Sequence, residues 1–364
     1  MASLLPILRL RRVGKLLECE LTDPKSMQIT SFDQRPIKLT EGFKKGILRP
    51  YKKLLRMAGD EETRTCDFRQ ELKTIGSEIW RVLGPVFKRF DMDVMEGTTL
   101  ALALDEETVD IPWELALLQK SPCVHLCEQL NVGRLRVVKS VRWFNPQEKR
   151  RKRRALVVGI NYKGRGRKSG ELDWAEKEAE EVASILEGHD ILVTSLFGKK
   201  AEKSKIVREL KYGVDIFHFT GHGSMARDES RISAYDKDLL AKDLPQILGT
   251  VAPRLSFMNA CETAIEKATI GEAKWDAYSW AYALAEQGGR VFIGTLWPIY
   301  EDEAKLFSSR FYKELLGVEN RTLADSVRQA RLKVKKSDTD KSVFTWPAYV
   351  LYGPPSLQRD DILD

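Results

Sequence analysis

A histidine and a cysteine stand at the ends of two apolar stretches of this chain of 364 residues. His222 closes the run VDIFHFTGH, and Cys261 follows the run RLSFMNA. Apolar runs of this length predict buried strands, and the segment between them has room for a helix. Two strands joined by a helix form parallel neighbours in a sheet. We therefore expect both residues at one edge of that sheet, within reach of each other.

This pair of residue types can perform nucleophilic catalysis. A cysteine thiol has a pKa near ~8.5, so little of it is thiolate at neutral pH. A neighbouring imidazole can remove the thiol proton and later protonate a leaving amine. The flanking glycines, Gly221 and Gly223, keep the backbone around His222 open. The N–H groups of Gly223 and Cys261 can bind a developing oxyanion, and Gly223 lets a substrate backbone come close.

Structural roles are the alternative for both residues. A histidine beside glycine and a cysteine in an apolar strand serve packing more often than catalysis. His218 also competes with His222 for the role of base, because strand alternation places both on one face. We expect His218 to lie inside the strand and to be structural.

Further side chains at the ends of the predicted strands form a candidate substrate pocket. These substrate-binding candidates are Asn161, Asn259, Trp297 and Asp302. Asp302 belongs to an acidic cluster that opens a helix, and a carboxylate at the base of the pocket would bind Arg or Lys by a charge-assisted hydrogen bond. The alternative is a favourable charge at a helix N-terminus. The first interpretation predicts cleavage after a basic residue.

The elements that must position these residues alternate along the second part of the chain. Over 151–364, strand and helix patterns alternate, which predicts an α/β domain with a mostly parallel sheet and helices on both faces. Residues 1–150 mix strand patterns with a helical period over 66–89, so we expect an N-terminal α+β region. Sites in open α/β sheets form at the carboxyl ends of the strands.

Several of these segments resemble the CHAT family of caspase-like cysteine peptidases. HFTGHG around His222, NAC at Cys261, GTLWPIYEDEA, IPWELAL and LVVGINYKG carry the resemblance, which covers residues 60–355. It implies a caspase-like fold and cysteine-dependent proteolysis. It also implies His222 as base, Cys261 as nucleophile and Gly223 as an oxyanion contributor. A regulated role in signalling or in defence, including antiviral defence, is implied as well.

The chain departs from true caspases in one motif. It has NACET where caspases carry a QACRG-type pentapeptide, so their aspartate preference is not carried over. We find none of the helical repeats or ligand-sensing domains that often accompany the family, which leaves room for a separate activating or regulatory partner subunit. The alternative function is a catalytically silent caspase-like scaffold that binds a partner protein. The intact Cys–His pair with its glycines argues against that alternative.

Composition and charge argue against several other classes of protein. No apolar stretch approaches the ~20 residues that a membrane span needs. The five scattered cysteines argue against a disulfide scaffold and for a reducing, cytoplasmic compartment. The net charge of +7 includes the run KRRKRR at 149–154. We interpret this run as a solvated linker, and direct contact with nucleic acid is the alternative. If the protein cleaves after basic residues, the run would also be a possible processing site.

Two segments resemble ligand-binding sites only weakly, so we expect the protein to bind neither a metal nor a cofactor. CVHLC offers Cys123, His125 and Cys127, but no fourth zinc ligand stands nearby in the sequence. KGRGRKSG at 163–170 fits neither of the glycine-rich phosphate-loop patterns. We expect the second segment to be a flexible loop beside the active-site edge.

Overall fold

A computed structural model describes most of the chain. The described ranges are 6–13, 16–23, 28–32, 37–38, 41–58, 65–92, 94–105, 108–109, 111–119, 122–136, 153–163, 171–226, 229–248, 252–260 and 276–363. Cys261, most of KRRKRR and most of KGRGRKSG lie outside them. The chain divides into two compact units, Met1–Val137 with Leu351–Ser356, and Val138–Val350 with Leu357–Asp364. The assignment of roles to 1–150 and 151–364 stays a prediction.

The first unit combines a mixed sheet with long helices. Its strands are Ile7–Val13 (β1), Leu16–Asp23 (β2), Gln28–Phe32 (β3), Ile37–Lys38 (β4), Thr99–Leu104 (β5), Leu117–Leu118 (β6), Val124–His125 (β7) and Asn131–Arg136 (β8). Its helices are Glu41–Ala58 (α1), Thr65–Arg89 (α2) and Leu126–Gln129 (α3), with a 3-10 turn at Trp113–Leu115. Strands β8, β5 and β1 are parallel neighbours, whereas β2 pairs antiparallel with β1, β3 and β4. The predicted helix over 66–89 is confirmed as α2.

A buried ion pair fixes the segment IPWELAL in the first unit. The carboxylate of Glu114 accepts from Nε and Nη2 of Arg134 on β8, at 2.5 and 2.6 Å. Arg134 also donates to the carbonyls of Val109 and Ile111. Burial disfavours the charge of Arg134, but the adjacent Glu114 outweighs it and holds the pKa of Arg134 above its usual value. The motif therefore has a structural role, since it ties the 3-10 turn to β8.

The second unit contains the strand–helix alternation. Its strands are Arg154–Gly159 (β9), Leu192–Phe197 (β10), Ile216–Thr220 (β11), Gly223–Ala226 (β12), Glu229–Ser233 (β13), Asp238–Leu240 (β14), Leu255–Asn259 (β15), Val291–Thr295 (β16) and Tyr349–Tyr352 (β17). Its helices are Ala175–Glu187 (α4), Lys203–Tyr212 (α5), Leu244–Ile247 (α6), Asp276–Glu286 (α7), Glu301–Gly317 (α8), Leu323–Lys335 (α9), Ser342–Thr345 (α10) and Arg359–Leu363 (α11).

The main sheet of the second unit is built as the alternation predicts. Its strands run in the order β10-β9-β11-β15-β16-β17, and the pairs from β10 through β16 are parallel. Helix α8 packs against α4 and α9, helix α6 packs against α5 and α7, and both groups contact the strands. Strands β12, β13 and β14 form a small antiparallel sheet after the end of β11. The predicted α/β class with a mostly parallel sheet is confirmed.

The described ranges contain neither a candidate membrane span nor a candidate metal cluster. No helix among them combines the length and apolar character needed to cross a membrane. Within the same ranges, no three His, Cys, Asp or Glu side chains gather where they could hold a metal ion. CVHLC divides between β7 and α3 rather than forming one strand, which leaves Cys123 exposed and Cys127 buried.

Candidate active site

The site is built on two neighbouring strands of the parallel sheet. Strands β11 and β15 pair in register, with Thr220 opposite Asn259 at their carboxyl ends. The N–H of Gly221 then donates to the carbonyl of Asn259 at 3.0 Å, so the strands stay joined one residue further. His222 follows at once, and Cys261 comes two residues after Asn259 in the sequence. The predicted adjacency of the two strands is confirmed.

Gly223 makes the closest approach between the two strand ends. A Cβ atom built at Gly223 would lie 1.7 Å from the carbonyl oxygen of Ala260, which is closer than any real contact. Only glycine therefore fits here, because the backbone after His222 lies directly against that of Ala260. Ala260 is the last described residue before Cys261. The oxyanion role of Gly223 and Cys261 stays a prediction.

Tyr162 packs against His222 from the carboxyl end of β9. Its ring stacks on the imidazole with centroids 4.4 Å apart and an interplanar angle of 26°. Its hydroxyl accepts from the backbone N–H of His222 at 2.8 Å and donates to the carbonyl of Ser233 at 2.6 Å. A Cβ at Gly221 would lie 2.7 Å from this hydroxyl, so a larger residue there would displace the Tyr162 side chain.

A buried carboxylate lies beneath the ends of β11 and β15. Glu178 of α4 is 1% exposed, and its Oε1 lies 3.2 Å from Nε2 of His218 and 2.6 Å from Nδ2 of Asn259. Its Oε2 accepts from the hydroxyl of Thr220 at 3.2 Å. One side chain thus holds the last residues of both strands that lead to His222 and Cys261.

Two tyrosines extend this buried network. The hydroxyl of Tyr349 donates to Oδ1 of Asn259 at 2.9 Å, and the hydroxyl of Tyr312 lies 3.4 Å from Nδ1 of His218. Burial, reinforced by the charge of Glu178, raises the pKa of Tyr312 well above its usual value, so this phenol stays protonated. His218 is fully buried within the network, as expected of a structural histidine.

Comparison with known sequences identifies the family. The sequence profile of the CHAT domain matches residues 73–354, most of the chain. The chain belongs to the CHAT-domain family. No curated protein matches it.

Solved structures share the fold of this CHAT domain at low identity. The Arg-specific cysteine proteinase gingipain R superposes with a TM-score of 0.54 and 12% identity, over 88% of this chain and 76% of that chain. The complex of the Porphyromonas gingivalis RgpB pro- and mature domains gives 0.55 and 12%, over 85% and 77%. The Saccharomyces cerevisiae separase–securin complex gives 0.59 and 11%, over 97% of this chain but 30% of that chain. This CHAT domain thus has the predicted fold of caspase-like cysteine proteases.

Three of the predicted substrate-binding residues use polar atoms for contacts inside the CHAT domain. Asn161 accepts from the N–H of Lys163 at 3.0 Å through its Oδ1. Asn259 has its amide divided between Glu178 and Tyr349, as described above. Trp297 is 1% exposed and donates from Nε1 to the carbonyl of Phe344 at 2.6 Å. Their substrate-binding role stays a prediction.

The acidic cluster of the CHAT domain occupies the first turn of α8. Glu301 accepts from the backbone N–H of Trp174 at 2.9 Å. Glu303 is buried and accepts from the hydroxyls of Ser337 and Thr339. Both carboxylates thus have structural partners near a helix N-terminus. For Glu301 and Glu303 this fits the alternative interpretation, a favourable charge at the start of a helix.

Asp302, the third carboxylate of this cluster, is partly exposed. Its Oδ2 accepts from Nζ of Lys341 at 2.8 Å, and its side chain is 36% exposed. The hydrogen bond from Lys341 raises the pKa of that lysine. Asp302 also lines a groove of about 370 Å³ together with Trp174 and basic side chains of α8 and α9. The carboxylate is therefore accessible and already engages a primary ammonium group.

Tyr162 and Glu178 had not been predicted as site residues. Tyr162 follows a strand that ends at the predicted edge of the sheet. This position in the sequence was the signal that could have identified it as a site residue. Glu178 interrupts the apolar face of α4 formed by Ala175, Ala179 and Val182. An acidic residue on the buried face of a helix indicates a buried partner, although the sequence does not say which.

Proposed function

We propose that this CHAT domain is a cysteine endopeptidase that cleaves a protein substrate, with Cys261 as nucleophile and His222 as base. The observation that carries the proposal is the contact between Gly223 and the carbonyl of Ala260. It brings the backbone that follows His222 against the residue that precedes Cys261. The fold of caspase-like cysteine proteases supports the same reaction class.

The proposed reaction proceeds in two stages. The imidazole of His222 takes the thiol proton, and the thiolate of Cys261 attacks the scissile carbonyl carbon to form a C–S bond. N–H groups of Gly223 and Cys261 stabilise the oxyanion. The imidazolium then protonates the leaving amine as the C–N bond breaks. Water, deprotonated by the same imidazole, hydrolyses the thioester and releases the carboxylic acid with a free thiol.

Digestion of a diverse peptide mixture, read by mass spectrometry, tests this proposal. We expect Cys261→Ala and His222→Ala each to reduce cleavage by at least ~10³-fold. Cys123→Ala and His189→Ala are the matched controls and should retain activity. Cleavage that survives Cys261→Ala would overturn the assignment. A folded wild-type chain that neither cleaves peptides nor reacts with an electrophilic peptide probe would favour the catalytically silent scaffold.

We further propose that cleavage follows a basic residue selected by Asp302. The accessible carboxylate and its hydrogen bond with the ammonium group of Lys341 support this specificity, because a substrate lysine would present the same group. Gingipain R, which shares the fold, is Arg-specific. In the peptide digestion, Asp302→Asn should lower cleavage after Lys and Arg by ~10-fold or more, whereas Lys341→Met should not lower it. An unchanged cleavage profile in Asp302→Asn would contradict the selector role.

Regulation by a partner or by processing belongs to the same proposal. The separase of Saccharomyces cerevisiae was solved with securin, and RgpB was solved with its pro-domain. By analogy we propose an activating or regulatory partner for this chain, acting in a signalling or defence pathway in the cytoplasm. The basic run at 149–154 is a proposed processing site. A break at that run in the wild-type chain, missing in Cys261→Ala, would support processing.

A further inference from the structure

We infer that Tyr162 is the positioning residue that orients His222 for proton transfer, an inference that rests on the proposed function. Catalytic histidines need a third group that fixes the ring, and this role often falls to a carboxylate or amide. Here the buried carboxylate beneath the strand ends, Glu178, is engaged by His218, Thr220 and Asn259. Tyr162 instead contacts the imidazole itself.

The contacts of Tyr162 form a closed cycle with the backbone of His222. The N–H of His222 donates to the Tyr162 hydroxyl, and that hydroxyl donates to the carbonyl of Ser233. The N–H of Ser233 donates in turn to the carbonyl of His222 at 2.9 Å. Three hydrogen bonds therefore fix the backbone on both sides of the His222 side chain.

The ring of Tyr162 fixes the remaining freedom of the imidazole. The near-parallel stack at 4.4 Å restricts rotation of the His222 ring about its side-chain bonds. An aromatic face also attracts a cation, so the stack favours the imidazolium that forms after the thiol proton is taken. Both effects serve a base that must receive and then return a proton.

The backbone of Tyr162 supports this assignment. Its φ is +57°, in the left-handed region that bulky residues seldom occupy, and its side chain is 3% exposed. Residues held in such conformations persist where the surrounding structure imposes them, and they concentrate at functional sites. At this position the conformation turns the chain at the end of β9, and the side chain reaches His222.

Proton titration by NMR, in a Cys261→Ala background, tests the contact without requiring proteolysis. The chain has four histidines, so His222→Gln assigns the signal. Tyr162 is a titratable group in contact with the imidazole. Arg231 and Asp238 of the adjoining strands pair with each other, and Glu178 lies beside His218. Tyr162→Leu should lower the pKa of His222 by ~0.5 and remove the ring-current shift of its imidazole protons.

Two further variants keep the test interpretable. Tyr162→Phe retains the ring but not the hydroxyl, so the ring-current shift should persist if the stack orients His222. The exposed Tyr212, replaced by leucine, should leave the His222 signal unchanged. A folded Tyr162→Leu variant in which His222 keeps the parent pKa and chemical shifts would overturn the inference. A folded Tyr162→Phe variant that loses the ring-current shift would do so too.

Kinetics of the cysteine-containing chain provide the second readout. Tyr162→Leu should lower kcat by ~10- to ~100-fold with little change in KM, because the substrate still binds while the base is misaligned. A kcat within twofold of the wild-type value would count against the positioning role. If the chain shows no Cys261-dependent cleavage at all, the proposed function fails, whereas the titration still decides whether Tyr162 orients His222.

Discussion

The two glycines beside His222 lie against different neighbours. Gly221 makes room for the hydroxyl of Tyr162, and Gly223 makes room for the carbonyl of Ala260. The sequence suggested an open backbone for substrate at these positions. The contacts add that the glycines let three chain segments converge on one histidine, which a larger residue would hold apart.

Gly223→Ala should therefore push the backbone after His222 away from Ala260. A methyl group 1.7 Å from the carbonyl of Ala260 forces the two backbones apart by about 1 Å or more. A misplacement of that size costs ~10²-fold in rate, so peptide cleavage should fall by about that factor. Gly317→Ala is the matched control, because a Cβ there meets nothing within 4 Å. Equal activity of the two variants would contradict this account of the site.

Helix α4 supplies the link between the ends of β11 and β15. Its residue Glu178 accepts hydrogen bonds from Thr220 on one strand and Asn259 on the other, and lies beside His218. The hydroxyl of Thr220 and the amide of Asn259 thus share one buried acceptor. The spacing of the two strand ends thus depends on a helix placed elsewhere in the sequence.

Replacement of Glu178 with glutamine should destabilise the protein although the volume is kept. An amide NH₂ group would then face side chains that need an acceptor, and the free energy of unfolding should fall by about 3 kcal/mol. Glu180→Gln, an exposed change on the same helix, should shift it by less than ~0.5 kcal/mol. Urea denaturation measures both variants. Similar values for the two would show that the buried network contributes little.

The free energy of unfolding of the whole molecule should depend on pH, because folding changes the pKa of carboxylates such as Glu181 and Asp215. Partial burial alone would raise the pKa of Glu181, but Lys305 and Lys313 outweigh it and lower this pKa from 4.5 to about 2. A lowered pKa stabilises the folded state above 4.5, and that contribution is lost as the pH falls to about 2. Asp215 acts in the opposite direction, because burial raises its pKa and its protonation favours the folded state.

We expect the free energy of unfolding to fall between pH 4.5 and about 2, in part because Glu181 releases its two lysines. Urea denaturation at a series of pH values measures this slope. Glu181→Gln should flatten it, since the glutamine cannot titrate. Glu187→Gln, an exposed change at the end of the same helix, should leave the slope as it is. A slope that is the same in both variants would exclude Glu181 as a contributor.

Much of the fold was predictable because hydrophobic periodicity is a local property. The spacing of Leu72, Ile75, Ile79 and Leu83 predicts α2, and the alternation after 150 predicts the parallel sheet. The edge that holds His222 follows from the strand order, since parallel strands end on the same side. These features need only the pattern of residues within single elements and short connections.

The sequence by itself determined the elements, the fold class and the pair of residue types proposed for catalysis. Only the tertiary structure decided which groups meet around His222 and the two strand ends: Tyr162 on the ring of His222, Ala260 against Gly223, and Glu178 between two strands. Each contact joins residues far apart in the chain. Such contacts depend on how helices and strands pack in three dimensions, and no local spacing encodes them.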